Sequence, residues 1–393
     1  ELLATIHFPG DSLDVSGLLG TDTAGTPHAL LGSFGSGIDF DPVTAEVVAV
    51  CDRGPRDGAN DFACRVQRFA FRLDEASRTA SLTLTSTRFL TSSGGGQFVG
   101  SSKAWTPAFR AVVGDGLGES RPRIPARLDP EAIRLSGDTM WIADEYAPAL
   151  DLFTRSGRHI RREPLPARYA CSHASGTAEG ELPPANTTGR QPNRGFESLT
   201  LSPDGSRAYL MTQSPLIQDG GLDADSKRIG INMRLLQVPL NPASPTREYL
   251  YLLDRPSHGV NELLADGESH ILVLERDGGK GANAAFRVVY RVELRSDLDI
   301  AHVERLPSLG LPPGIVPLRK ELYLDLLDPA FGLAGGAMPE KIEGLCWGPE
   351  LSDGRRTLLV SSDNDLIQDA PTTLWVFAIG DPAAGVAPGT TDR

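Results

Sequence analysis

Apolar and polar positions alternate in short bursts along this chain, and the bursts come in pairs. Five times a strand-like segment runs into a turn and returns as an apolar strand that usually ends on Asp or Glu. The five segments are Gly37–Asp52, Glu131–Glu145, Glu197–Gln213, Glu262–Glu275 and Glu343–Asp363. Each pattern predicts a β-hairpin. Further strands are expected at Ala149–Phe153 and His159–Pro164, Met233–Leu240 and Arg247–Leu253, Ala285–Leu294, and Thr373–Ile379. Cys64–Leu73 is expected to pair with Ser81–Phe89.

A unit of about four antiparallel strands repeated around an axis is a β-propeller. The fold class is therefore all-β, with a single propeller domain over residues 1–393. Six blades are expected, with five as the alternative. A sixth blade would come from Leu311–Pro339 or from the two termini. The repeats lie farther apart than a bare blade of roughly 40–45 residues, which predicts long loop insertions. Thr91–Arg123 and Ala170–Arg190 read as the main ones, and Gln218–Ile229 reads as a surface loop. The best helical candidate is short, near Pro317–Leu326.

Radial hairpins bring their strand ends to one axis. Glu131, Glu197, Glu262 and Glu343 open the hairpins, while Asp52, Glu145, Glu275 and Asp363 close them. Gly37 and Gln213 break the series. Singly, such residues are often solvent-facing strand ends or turn starters. As a set at matched places they predict a carboxylate ring, and carboxylates crowd only where a cation or proton neutralises them. An oxygen-only ligand set favours calcium, with magnesium as the alternative. Arg53, Arg194, Arg276 and Lys341 flank the same places. They either pair with the acids or grip an anionic substrate. Catalytic candidates are Glu145, Glu275, Arg276 and Lys341, with Glu145 or Glu275 as general base.

Composition narrows the choices. Net charge is −13 with no basic run, which speaks against nucleic acid as a partner. No apolar stretch reaches the length of a membrane span. Forty-two Gly and 30 Pro suit a chain of many turns. The sequence starts at Glu1 without Met, as after removal of a leader. Cys51 and Cys64 bracket a polar loop and are expected to form a disulfide. These features predict an exported protein, periplasmic or extracellular. No Gly-x-Ser-x-Gly elbow, phosphate-binding Gly-Lys-Ser/Thr loop or zinc pattern occurs. Asn186-Thr187-Thr188 fits a glycosylation sequon.

DPEAIRL, MWIADEYAPALDLF, NRGFESLTLSPDGSRAYLMTQSPL, NELL with ILVLERD, and KIEGLCW with SSDND together resemble the phytase-like family, "esterase-like activity of phytase". The resemblance runs from about Ser33 to Ile379. It implies a mostly bacterial, exported propeller with metal-dependent phosphoesterase activity. Glu131, Glu145, Glu197, Glu262, Glu275, Glu343 and Asp363 match the family's acidic positions. The expected function is then a calcium-dependent phosphoric-ester hydrolase, acting as a monomer on a small anionic substrate. Two alternatives remain. One is a non-enzymatic calcium-stabilised propeller that binds a glycan, peptide or envelope partner. The other is a calcium-dependent lactonase or carboxyl esterase, which needs Asn as well as acidic ligands, with Asn193, Asn261 and Asn364 as candidates.

Overall fold

The computed structural model describes residues 1–58, 62–100, 126–163, 165–240 and 244–380. Residues 101–123 of the expected first insertion lie outside the described residues. Five four-stranded antiparallel sheets are present among those described, so the propeller has five blades. Blade 1 comprises Gly37–Asp41, Glu46–Val50, Arg65–Asp74 and Thr79–Phe89. Blade 2 comprises Pro130–Ser136, Thr139–Asp144, Ala149–Thr154 and His159–Glu163. Blade 3 comprises Phe196–Leu201, Arg207–Thr212, Asn232–Pro239 and Arg247–Leu252. Blade 4 comprises Gly259–Ala265, His270–Arg276, Arg287–Glu293 and Lys320–Asp325. Blade 5 comprises Ile342–Glu350, Arg356–Ser362 and Thr372–Ile379, with Leu2–Phe8 as its outer strand.

Both sources considered for a sixth blade are used elsewhere. The Leu311–Pro339 region supplies the outer strand of blade 4, Lys320–Asp325. That strand also replaces the short helix expected near Pro317–Leu326. Its pairing with Arg287–Glu293 satisfies backbone groups that a lone helical turn would leave open. The N-terminal strand pairs antiparallel with Thr372–Ile379, closing the ring through hydrogen bonds between the first and last strands.

Each innermost strand touches the innermost strands of both neighbouring blades. The core is accordingly divided into sectors. One apolar cluster lies between blades 5 and 1, around Phe34, Phe69 and Leu359. Comparable clusters fill the other four gaps between adjacent blades. A sheet packed on both faces needs apolar residues at consecutive positions. This is why the second strands read EVVAV, TMWIAD, RAYLMT, HILVLER and RTLLVSS.

The expected Cys51–Cys64 disulfide is absent, and both thiols are free and buried. They sit in different sectors, Cys51 between blades 5 and 1 and Cys64 between blades 1 and 2. Cys51 Sγ donates to Gly32 O, and Cys64 Sγ to Leu128 O. The two residues therefore serve as small apolar fillers. Residues 170–190 carry no strand, yet they are held by a buried ion pair, Arg190 Nη1 to Glu181 Oε2 at 2.7 Å. The sequon residue Asn186 is fully buried and accepts from Ser172 N, Ser172 Oγ and His173 N. Among the described residues no helix is long and apolar enough to cross a membrane.

Candidate metal and anion site

Four of the five inner strands carry a β-bulge near their start. The strand register skips one residue in each: Glu131 in blade 2, Glu197 in blade 3, Asn261 in blade 4 and Glu343 in blade 5. A bulged residue lacks a partner across the strand, and its side chain is re-aimed. All four of these side chains line one cavity of about 160 Å³ at the propeller axis. Blade 1 contributes none. At its leading position, Gly37, a Cβ would come within 2.8 Å of Glu131 O on the adjoining inner strand, so no side chain fits there.

Blade 4 corrects the expected ring. Glu262 was the anticipated partner of Glu131, Glu197 and Glu343, but the bulge falls on Asn261. Glu262 sits one residue further, at the position held by Ala132, Ser198 and Gly344 in the other blades. Alternation along a strand turns successive side chains to opposite faces, so a shift of one residue changes the destination. The Glu262 carboxylate meets the Arg134 guanidinium at 3.0 Å and accepts from Leu199 N and Leu263 N.

The returning strands shift in the same way. Glu275 is opposite Val260, and its carboxylate is taken up between blades 3 and 4. It accepts from Tyr251 Oη at 2.7 Å, Asp254 N at 2.9 Å and Lys320 Nζ at 2.8 Å, and it bonds His258 Nδ1 at 3.0 Å. It is not among the residues that line the cavity. Its neighbour Arg276 lines the cavity instead and reaches Glu343 Oε1 of blade 5 at 2.9 Å.

Two tight carboxylate groups flank the cavity. Asp129, Glu131 and Glu145 form one; Asp52, Asp363 and Asp365 form the other. A protein cation enters each. Arg53 Nη1 lies 2.9 Å from Asp129, 3.2 Å from Glu145 and 3.6 Å from Glu131. Lys341 Nζ lies 3.2 Å from Asp363, touches Asp365, and is 3.9 Å from Asp52. Ser33 Oγ donates to Asp363 Oδ1 at 2.5 Å. Arg53 and Arg276 therefore pair with acids of the next blade rather than with their neighbours in sequence. Asp129, which no hairpin pattern marked, is part of the site. Asn364 is a loop clamp that accepts from Ser33 N and donates to Ala370 O.

Burial leaves these acids reluctant to ionise together. It is the first cause of a rise to about 7 for Glu343 and to about 6 for Asp52, the latter helped by the charge of Asp363. Asp129, Glu131 and Glu197 are pushed well above the carboxylate range, first by burial and then, for Glu131 and Glu197, by neighbouring carboxylates. Asp363 goes the other way, because Lys341 and Ser33 outweigh its burial. Lys341 is held well above the usual lysine range by Glu343, Asp363 and Asp52, although burial opposes its charge. It is an ammonium at any working pH.

The residues present fit a hard cation. Asn261 is 1% exposed, lines the cavity, and neither Oδ1 nor Nδ2 has a hydrogen-bond partner. Glu343 Oε2 is likewise buried without one. Buried polar atoms without partners cost about 1–3 kcal/mol each unless something meets them. Three carboxylates and one amide are donor types that calcium takes in flexible geometry, although among the described residues three carboxylate oxygens come within 4.8 Å of one another in the two flanking groups and not in the set Glu131, Glu197 and Glu343.

The family model for phytase-like proteins, "esterase-like activity of phytase", matches residues 30–366. The chain belongs to the phytase-like family. A curated relative of this phytase-like protein, an uncharacterized secreted protein of Arthroderma benhamiae, is 31% identical over 210 residues. That stretch is 45% of this chain and 40% of the relative, so less than half of that protein's length is matched. The relative is fungal, and the bacterial origin implied by the resemblance has no support.

Solved structures with a similar course of chain include a GH43_1 enzyme from Xanthomonas citri, at 12% identity and a TM-score of 0.42, covering 97% of this chain and 92% of that one. The calcium-binding protein regucalcin from Agrobacterium tumefaciens gives 12% identity and a TM-score of 0.33, covering 96% and 95%. Likenesses this slight carry no argument about chemistry.

Proposed function

We propose that this phytase-like propeller is a calcium-dependent phosphoric-ester hydrolase working in its axial cavity. The observation that carries the reading is the partnerless pair of Asn261 and Glu343 facing a cavity that Glu131 and Glu197 also line. These four residues would hold the cation, with magnesium as the alternative. When bound, the ion supplies Lewis-acid polarisation of a phosphoryl oxygen and neutralises developing charge.

The chain's own residues do the rest. Arg194, Arg276 and Lys341 line the cavity and would orient an anionic substrate. Lys341 contributes charge rather than a proton, since four acids hold it protonated. Glu145 accepts from Gly195 N at 3.1 Å and from Arg53 Nη1 at 3.2 Å, and its charge helps to raise the Glu197 carboxyl. It is the proton acceptor in this scheme, reached from the cavity across Glu197. The protein is proposed to be exported, in keeping with the name of its fungal relative, and to act as a monomer.

The purified chain, loaded with calcium, is to be assayed against a panel of phosphomonoesters that includes inositol phosphates. Turnover that disappears with chelator and in Glu197→Gln supports the reading. Calcium binding with no turnover on any ester favours the non-enzymatic propeller instead. A lactonase or carboxyl esterase is the second reading, because Asn261 supplies the mixed amide and carboxylate ligand set it needs. Hydrolysis of neutral lactones but not of phosphate esters would select it.

A further inference from the structure

The lip of the cavity carries a feature that the hairpin pattern did not mark. Arg228 stands at the end of a small turn bridged by Leu222 and Arg228, within the segment that reads as a plain surface loop. It lines the same cavity as Arg194 and Arg276. No hydrogen bond or ion pair engages its guanidinium among the described residues. Arg194 has only a neutral partner, Gln213 Oε1. Arg276 gives Nη2 to Glu343 and Nη1 to Asp277 O at 3.3 Å, but its buried Nε has no acceptor. Three guanidinium groups from separate parts of the chain thus face one space with donors to spare.

Their closeness is unfavourable in the free protein. Burial lowers Arg228 to about 10, and Arg194 and Arg276 push in the same direction. Arg194 is also lowered, by burial, which outweighs the opposing charges of Glu197 and Glu145; Arg276 adds a smaller push in the same direction as burial. A guanidinium is a planar fork of donors suited to phosphate oxygens.

We propose that Arg194, Arg228 and Arg276 form a binding site for a dianionic phosphate group, taken either as the phosphoryl end of a substrate or as inorganic phosphate. The acidic wall and the basic lip then divide the cavity into a cation half and an anion half. This rests on the hydrolase reading for its place in a reaction, though binding itself can be read without turnover. Arg228 is the specificity-determining member. Its guanidinium makes no hydrogen bond or ion pair among the described residues, and a side-chain substitution leaves its backbone bridge to Leu222 in place.

The test is calorimetric titration of inorganic phosphate into the full calcium-loaded chain, beside Arg228→Gln, Arg228→Lys and Arg194→Gln. The parent should bind phosphate saturably. Arg228→Gln should bind at least about tenfold more weakly, the loss of one charge-assisted contact. Its melting temperature in phosphate-free buffer should match the parent's, and Arg228→Lys should fall between the two. If Arg228→Gln does not fold, Arg194→Gln decides by the same criterion. Phosphate binding equal to the parent's in the folded variant, or no binding by the parent, overturns the proposal. Phosphate held without ester turnover defeats the hydrolase and leaves this site standing. Ester turnover untouched by Arg228→Gln defeats this site alone.

Discussion

Arg134 of blade 2 and Glu262 of blade 4 meet 3.0 Å apart and tie non-adjacent blades together. Arg134 also donates to the carbonyls of Ile38 in blade 1, Leu263 in blade 4 and Leu345 in blade 5, as well as its own neighbour Ile133. One guanidinium therefore joins four blades along the axis, about 10 Å further down the inner strand than Glu131, at roughly 3.3 Å per residue. Burial pushes Glu262 up to about 8 even beside this partner.

The pair is structural, and its loss should be asymmetric. Arg134→Met leaves four carbonyls without a donor and should cost about 3–5 kcal/mol in a chemical denaturation curve. Glu262→Gln keeps the shape and most acceptor capacity, and should cost about 1 kcal/mol. Calcium affinity of the folded Glu262→Gln protein should equal the parent's. A large drop there would return Glu262 to the ligand ring.

Asn261 separates ligand from scaffold. Its amide has no partner in the free protein, so Asn261→Ala should shift unfolding without calcium by no more than about 1 kcal/mol. The added stability on saturating calcium should shrink markedly, since a tenfold loss of affinity removes about 1.4 kcal/mol of ligand-linked stabilisation. Melting curves with calcium and with chelator measure both quantities. An equal calcium-induced shift in the variant would remove Asn261 from the site.

The raised acids set the direction of the pH dependence. Glu343, at about 7, and Asp52, at about 6, keep protons in the folded chain that the unfolded chain has already released. Raising the pH from about 5 to 8 should therefore destabilise the chelator-treated protein, by up to about 1.4 kcal/mol per pH unit for each proton held. Saturating calcium replaces the Glu343 proton, and calcium affinity should rise over the same interval. Melting temperatures across this range, with and without calcium, give the two slopes. A chelator-treated protein that gains stability with rising pH would contradict the assignment.

The thiols give a separate check on the fold. Burial pushes Cys171 up to about 11, and Cys51, Cys64 and Cys346 higher still. A thiol reagent should modify Cys171 slowly in the native protein and all four thiols only after denaturation. A reducing agent should leave the melting temperature unchanged. Two reactive thiols in the denatured, unreduced protein would restore the Cys51–Cys64 bridge.

Much of the architecture was legible because the propeller repeats a local pattern. Hairpins such as Thr139–Asp144 against Pro130–Ser136 need only nearby residues to be seen. The blade count was harder. Leu2–Phe8 completes blade 5 with residues from the far end of the chain, and Lys320–Asp325 is a partly exposed outer strand whose charges mimic a short helix. In the site, the Glu131, Glu197 and Glu343 positions were readable, but blade 4 was misaligned by one residue. The signal was present: an apolar residue precedes each bulge, as Pro130, Phe196, Val260 and Ile342, which makes Asn261 the equivalent of the three acids. Arg228 and Asp129 carried no such signal. Their roles depend on how loops between blades meet at the axis, which no local pattern encodes.

The central claim is that bulged residues of four blades gather one cation at the propeller axis. A crystal of the full chain soaked in calcium, with an anomalous difference map, tests it most directly. The account predicts a peak in the axial cavity within bonding distance of Glu131, Glu197, Asn261 and Glu343. A map with no peak there, or with calcium held elsewhere while these four side chains stay empty, would contradict it.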